Sequence, residues 1–561
     1  MSGSQERPLE LPPLRAIRNV GRFIEIVSVL VGHGFGEVVD QLRLWRYIPR
    51  FKRRTIQRTG EVSSEQSLAY RLRLALEDLG PTAIKFGQVM STRPDLIPAE
   101  VIEELTHLQE NVPPFPADKA VELLETEFDH PVTELFAEFD RTPFAAGSLG
   151  QVHRAVHHDG TNLAVKIRRP NIVREVERDI SLLRFLAASA AQTWLSPFDP
   201  EGLVQHFSRT IRRELNFRRE ARSIQEFARL FENDATLYVP RVYDDLTTEA
   251  VVTMEFVEGC RPSDEKCLSG VVATKSQLAV QGTHIFMRMA FEFGFFHGDP
   301  HPGNIRVMPD GSIALIDYGM VGMLSEENRE KLVDLFLAVA RQDAVRAERL
   351  VRQMGRPSRP IDDMLLRADV QDFIETYYGL SLERMNVGNM LNDFVGVLVD
   401  HGLRCPADLM LLIRAVVTLE GVGRSLDPKF NLATEIAPFV ERIVRRRYEP
   451  QRIMEKTIDD ARAVMGALHD LPGQLGRTLS KLATDDLKIQ LEHRKLDEFV
   501  GEFDRSSNRV VVGLITSSLI VASALVLRSG TTGYWLAALA FLASCLFGAW
   551  VVWGIMRSGR L

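Results

Sequence analysis

His297-Gly-Asp-Pro-His-Pro-Gly-Asn304, followed by Ile316-Asp-Tyr-Gly319, is the stretch on which the fold class turns. Proline and glycine make both ends of this run loops, and Pro309-Asp-Gly311 places a turn between two short strands. Asp299, Asn304 and Asp317 therefore come from two adjacent loops. Asn304 and Asp317 are hard oxygen donors suited to Mg²⁺, which keeps some of its waters and bridges phosphate oxygens. Asp299 can orient a hydroxyl or a water. A competing reading takes His297, Asp299 and His301 as a transition-metal cluster for metal-assisted hydrolysis, but it leaves Lys166 and Asp317 without a role.

Working upstream, the other parts of a phosphoryl-transfer site occur in order. Such a site needs a backbone cradle, a lysine on the phosphates, a carboxylate to hold that lysine, and metal ligands near an aspartate. Ala145-Ala-Gly-Ser-Leu-Gly150 joins two strands, and its small side chains let backbone amides approach a phosphate. A tight hairpin without ligand explains such a loop equally well, and no GxxxxGK[ST] occurs in the chain. Lys166 ends the strand Asn162-Leu-Ala-Val-Lys, where a snorkelling lysine is the plain alternative. Glu220, in the helical segment Arg213-Glu-Leu-Asn-Phe-Arg-Arg-Glu220, can pair with it; as isolated residues, Glu214 and Glu220 read as solvated helix charges. Asp299 and Asn304 keep the D-x-x-x-x-N spacing of a protein-kinase catalytic loop, and Asp317-Tyr-Gly319 stands where the metal-binding D-F-G belongs.

The 561-residue chain is 45% apolar and 25% charged, long enough for about two to four domains and too apolar for wholesale disorder. With 68 basic against 75 acidic residues, a net charge of −7 argues against a nucleic-acid binder that relies on global charge. Cys260, Cys267, Cys405 and Cys545 show no CxxC or zinc spacing, so no disulfide or structural metal is expected and a reducing compartment is. The chain start lacks a basic stretch followed by an apolar one, so no cleaved secretory signal is expected. Residues 1–60 hold 11 Lys/Arg against 5 Asp/Glu, net +6, which suits either a membrane-surface segment or a solvated basic helix. Residues 65–127 read as helical, with breaks at Pro81 and around Asn111-Val-Pro-Pro-Phe-Pro116. From Pro143 a β-meander begins; helical periods follow over 171–192 and 200–231, then strand-like segments near Val239–Tyr243 and Ala250–Phe256. A strand-rich lobe followed by a helical one predicts an α+β cleft enzyme. Residues 510–527 and 533–556 are uncharged runs of 18 and 24 residues, the length of a transmembrane hairpin with both flanks in the cytoplasm.

Lys85-Phe-Gly-Gln88 within PTAIKFGQVMSTRPDLIP, together with AAGSLGQVHRA, ELNFRREA, HGDPHPGN and IDYG, resembles the UbiB/AarF family of atypical protein-kinase-like proteins over residues 65–430. The C-terminal apolar runs resemble the same family's hairpin. The resemblance implies an α+β, protein-kinase-like bilobal fold with a helical N-terminal extension and a C-terminal transmembrane hairpin. Its expected divisions are a basic segment over 1–60, a K-x-G-Q extension over 61–128, lobes over 129–259 and 260–440, an amphipathic linker over 441–505 and an anchor over 506–561. It further implies ATP and Mg²⁺ as cofactors, attachment to the cytoplasmic membrane, and support of ubiquinone or another isoprenoid-lipid pathway. Expected partners are a lipid or isoprenoid-quinone precursor, quinone-biosynthesis enzymes and a second copy of the chain, with no nucleic acid.

In that family the K-x-G-Q helix folds over the active site, placing Lys85 and Gln88 near the nucleotide and obstructing a protein substrate. Asp299, Lys166, Glu220, Lys85 and Gln88 are then the expected catalytic set, and Asn304 and Asp317 the metal ligands. Ala145, Ala146, Gly147, Ser148, Lys166, Glu255 and Val257 are the expected nucleotide contacts. Asn216 departs from the family's E-x-D motif, which begins at Glu214 and usually ends in aspartate; Gly147 and Gly150 stand where alanines and serine are usual. The expected activity is ATP hydrolysis, with a nucleotide-binding scaffold or a kinase with a protein or small-molecule acceptor as the alternatives.

Overall fold

Four strands carry the first lobe: β1 (Glu138–Ala146), β2 (Gly150–Val156), β3 (Asn162–Arg168) and β5 (Val251–Glu255), all antiparallel in the order β1-β2-β3-β5. Their β-branched and aliphatic residues suit a sheet covered on one face. In β3, Leu163, Val165 and Ile167 are fully buried in a core shared with Phe136, Leu124 and Val251. Lys166 stands on the opposite face, in register with Val152 and Val252. Asp159-Gly160 forms the turn between β2 and β3, with Gly160 at φ +89° and Asp159 accepting from the Thr161 N–H at 2.9 Å. Gly150, one of the two departures in the small-residue loop, has a structural cause. A β-carbon there would stand 2.4 Å from the Ile167 carbonyl oxygen, so the close approach of β2 to β3 requires glycine.

The structure, a computed structural model, describes residues 20–49, 53, 67–93, 96–108, 113–191, 193, 199–358, 360–378 and 385–447, with scattered positions between 514 and 546. Two compact units divide the chain, residues 1–452 and 453–561. In the first unit the helix Leu68–Asp78 ends before the break expected at Pro81, Pro81–Met90 and Ala99–Thr106 lie between it and the break expected at Asn111–Pro116, and Ala117–Phe128 follows that second break. Gly80 at φ +89° and Pro81 at the first helical position start the second of these, called here the cap helix. The helical portion of the C-lobe includes Lys275–Met287, Val387–Asp400 and Ala407–Leu426, packed round one large apolar core.

Several expectations change. The helical period over 200–231 is two helices, Pro200–Glu214 and Phe217–Leu230. Asn216 takes an extended conformation between them, φ −103° and ψ 95°, and the Phe217 N–H donates to the Glu249 carbonyl at 3.1 Å. The strand expected near Val239–Tyr243 shrinks to β4 (Leu237–Tyr238) and a single bridge from Val242 to Met254, because Pro240 cannot donate to a ladder. β4 runs parallel to β8 (Ile313–Leu315), which pairs with β7 (Ile305–Val307), while β6 (Phe295–His297) pairs with β9 (Val321–Met323). Cys260 and Cys267 are disulfide-bonded across a separation of seven, with Cα atoms 5.6 Å apart, which corrects the expectation of no disulfide. The cytoplasmic-membrane location with a transmembrane hairpin is also corrected: among the described residues, no helix is long and apolar enough to cross a membrane. Most of the two uncharged runs, residues 448–505 of the amphipathic linker, and residues 1–19 lie outside the described residues.

His153 on β2 is fully buried in a polar knot that ties the linker before Ala117 to the sheet. Its Nδ1–H donates to the Asp140 carbonyl and its Nε2 accepts from the Gln151 side-chain amide, both at 2.8 Å, while Gln151 Oε1 accepts from the Phe115 N–H at 2.9 Å. Burial, opposed by the bond to Asp140, holds the imidazole below its usual range of about 6.5. Protonation would set two donors face to face. Because the unfolded chain takes up that proton and the folded one does not, stability is lost as pH falls below about 6.5, by at most about 1.4 kcal/mol per pH unit for one group. A melting temperature that falls between pH 7 and pH 5, with a shallower fall in His153→Gln, is the expected result. Parallel slopes in the two proteins would disprove it.

Candidate active site

The break between the helices Pro200–Glu214 and Phe217–Leu230 gives two glutamates, six positions apart, different partners. Glu214 closes one helix and receives the Lys85 ammonium from the cap helix at 2.9 Å. Glu220, 5% exposed in the first turn of the next helix, holds the Lys166 ammonium with both carboxylate oxygens at 2.8 Å. Lys166 also lies 3.6 Å from Asp317 Oδ1 and over the Phe217 ring at 5.3 Å. Burial works against charge on Lys166, but Asp317, Glu220 and Glu214 outweigh it and raise the ammonium well above the ordinary lysine range.

The K-x-G-Q glycine is a packing residue. A β-carbon on Gly87 would stand 2.4 Å from Leu108 and 2.9 Å from Leu76, so the cap helix can lie against Leu68–Asp78 and the Leu105–Leu108 segment only without one. Phe86 meets Phe207 edge-on at 5.2 Å, which seats the same helix on Pro200–Glu214. These contacts aim Lys85 and Gln88 into the cleft. Across it, the loop 145–150 is closed by Gly147 N–H donating to the Gly150 carbonyl at 2.8 Å. Arg169 fastens that loop from behind, its backbone N–H on the Leu149 carbonyl at 2.8 Å and its guanidinium on the Gly147 carbonyl at 3.3 Å.

The segment 297–304 is organised by His297, which is 1% exposed. Its Nε2–H donates to the Asp317 carbonyl, and its Nδ1 accepts from the Asp299 N–H at 3.1 Å. One imidazole therefore fixes the two loops against each other. Burial, only partly opposed by its Asp317 contact, keeps it below the ordinary histidine range and hence neutral. Asn304 Nδ2 donates to the Asp299 carbonyl at 3.2 Å, leaving the amide oxygen as the donor atom for a cation. Asp317 Oδ1 accepts from the Gly319 N–H at 2.8 Å. Burial pushes the Asp317 carboxyl up, but Lys166, that N–H and Lys85 prevail and hold it well below the carboxylate range. Tyr318, 1% exposed, packs on Phe227 at 5.3 Å and on His297 at 5.8 Å, filling the place of the phenylalanine in D-F-G.

Lys85, Gln88, Ala145, Ala146, Gly147, Ser148, Lys166, Glu220, Asp299, Asn304 and Asp317 all line one cleft of about 850 Å³, a size in the range of small-molecule sites. Glu255 and Val257 do not line it: Glu255 ends β5, where its carboxylate meets the Arg241 N–H at 3.5 Å. Asn216 is also turned away, its side-chain amide donating to Glu249 at 3.0 Å, so the departure from the E-x-D motif does not reach the cleft. The transition-metal reading fails on geometry, since both nitrogens of His297 are engaged with backbone. Among the described residues, no three His, Cys, Asp or Glu side chains are arranged to hold a metal ion. Sequence reasoning gave His297 no anchoring role and missed Arg414, which lines the same cleft from Ala407–Leu426. The available signal was an arginine placed among Met410, Ile413 and Val417 on an apolar helix face.

Three family descriptions match the chain: an ABC1 atypical kinase-like domain over residues 107–351, a UbiB helical domain over 370–431, and an ABC1/UbiB kinase-like C-terminal domain over 494–557. "Probable protein kinase UbiB" of Xanthomonas oryzae is 33% identical over 496 residues, 86% of this chain and 89% of that protein. The protein of the same name in Xylella fastidiosa is 30% identical over 553 residues, covering 94% and 99% of the two chains. A chain from the complex of Rv3197 with erythromycin, from Mycobacterium tuberculosis, is 23% identical, with a TM-score of 0.45 over 66% of this chain and 94% of that one.

Proposed function

Because the chain belongs to the ABC1/UbiB family of kinase-like proteins, we propose that it is an Mg²⁺-dependent ATPase that supports ubiquinone or a related isoprenoid-lipid pathway. One observation carries this reading: two lysines, each held by its own buried glutamate, share a single cleft with Asp299, Asn304 and Asp317. Lys166, kept charged between Glu220 and Asp317, binds phosphate oxygens. The backbone of Ala145–Ser148 approaches them without side-chain obstruction. Asn304 Oδ1 and the Asp317 carboxylate fit Mg²⁺, being oxygen donors in adjacent loops that His297 locks together. When bound, that ion supplies neutralisation of phosphate charge. Asp299 orients the attacking water and takes its proton.

The cap helix favours hydrolysis over transfer to a protein. Lys85 and Gln88 come from a helix that lines the cleft itself, which narrows the room for a protein acceptor. The purified full-length chain should release phosphate from ATP with Mg²⁺ present, and a chelator should return the rate to background. Release indifferent to chelation, or none at saturating nucleotide, would reject the reading.

A further inference from the structure

We propose that Arg414, from the segment matched as the UbiB helical domain, is a catalytic residue whose guanidinium contacts the terminal phosphate of the bound nucleotide while steadying Asp299. The proposal rests on the ATPase reading of the same cleft.

Three cations line that cleft, and their partners differ. Lys166 is gripped by Glu220 with both oxygens at 2.8 Å and has Asp317 at 3.6 Å; Lys85 meets Glu214 at 2.9 Å. Arg414 approaches Asp299 Oδ1 at only 3.7 Å, too long for a firm hydrogen bond, with its side chain 34% exposed. A guanidinium carries five N–H donors in a fixed fork, so one loose contact among the described residues leaves most of them for an anion. Its helix, Ala407–Leu426, is anchored by the buried Leu409, Leu412, Ala415 and Leu419, so the side chain is delivered from a rigid element. Lys166 lies on the Asp317 side of the cleft and Arg414 on the Asp299 side. The developing charge on a transferred phosphoryl group would therefore meet a cation from each lobe, an arrangement that phosphoryl-transfer sites use in cis or in trans.

The step balances without further reagents. Water attacks the terminal phosphorus, a new P–O bond forms, and the bond from that phosphorus to the bridging oxygen breaks with its electron pair leaving on ADP. The proton of the water passes to Asp299 and then to solvent. Arg414 holds the equatorial oxygens and keeps the Asp299 carboxylate aimed at the water.

In the full-length protein, Arg414→Ala should lower turnover about 10²-fold and raise the KM for ATP at least fivefold, with the melting temperature within a few degrees of the parent. Guanidinium ion at tens of millimolar should restore at least tenfold of that loss, which a merely structural arginine would not allow. ADP should bind both proteins alike, while the preference for ATP over ADP should fall at least fivefold in the variant. Turnover within threefold of the parent, or a loss without rescue and with equal weakening of ATP and ADP, overturns the role of Arg414. A parent that binds ATP without hydrolysing it removes the ATPase reading instead, and the ATP-to-ADP preference then decides on Arg414 alone. A parent that binds neither nucleotide sinks both.

Discussion

Asp317→Asn is expected to reduce phosphate release by about 10³-fold while leaving the fold in place. Asparagine keeps an Oδ1 that can accept from the Gly319 N–H, so the turn at 317–319 retains its internal bond. The Asp317 carbonyl that receives His297 is backbone and is untouched. What disappears is the negative charge, which lies 3.6 Å from Lys166 and is held ionised through the whole neutral range. Without it the hard-ligand pair keeps one neutral oxygen donor, and the site loses charge complementarity for a divalent cation. Raising Mg²⁺ should recover little, because the lost interaction also positions Lys166. Turnover within tenfold of the parent, with an unchanged melting temperature, would remove Asp317 from the metal site.

How much of this was visible in the sequence depended on whether chemistry or packing fixed the residue. HGDPHPGN and IDYG carried their own spacing, and the structure brings Asp299, Asn304 and Asp317 to one cleft. Lys166 could be placed because a strand pattern ended on it, and its register with Val152 and Val252 is what sets its direction. Glu214 and Glu220 were a different matter. Along a continuous helix they would lie six residues and about 600° apart, on unlike faces. Only the extended Asn216 between two helices lets both reach the cleft, and Leu-Asn-Phe carries no proline or glycine to announce that break. Gly87 and Gly150 were legible as small residues, but the atoms that forbid a β-carbon, Leu108 and the Ile167 carbonyl, belong to segments distant in sequence or across a strand pair. The Cys260–Cys267 bridge escaped for the same reason: a separation of seven says nothing until the backbone at Cys260 is pinned to Val307 by two hydrogen bonds of 2.8 Å.

Lys166→Met is expected to cost turnover and stability together, and a second substitution should separate them. Removing the ammonium leaves Glu220, 5% exposed, facing Asp317 with no cation between them. Breaking a buried pair from one side costs about 3–5 kcal/mol, but Lys166 is 20% exposed and Glu220 can take up a proton, so about 2–3 kcal/mol is the working expectation. That corresponds to a melting temperature several degrees lower. The sign of the pH dependence follows from the carboxyl. Burial already raises Glu220 above its usual 4.5, and loss of Lys166 removes its main opposing influence. A carboxyl raised in the folded state stabilises below its unfolded value and loses that contribution as pH rises, so the deficit of Lys166→Met should shrink from pH 8 toward pH 5. Lys166→Met with Glu220→Met replaces the pair by apolar side chains among Val152, Val252 and Phe217, which should return most of the melting temperature. Phosphate release should stay about 10³-fold down in both variants, because no apolar pair can bind phosphate. If the double variant regained turnover along with stability, Lys166 would be a structural lysine and the cleft would need another phosphate-binding cation.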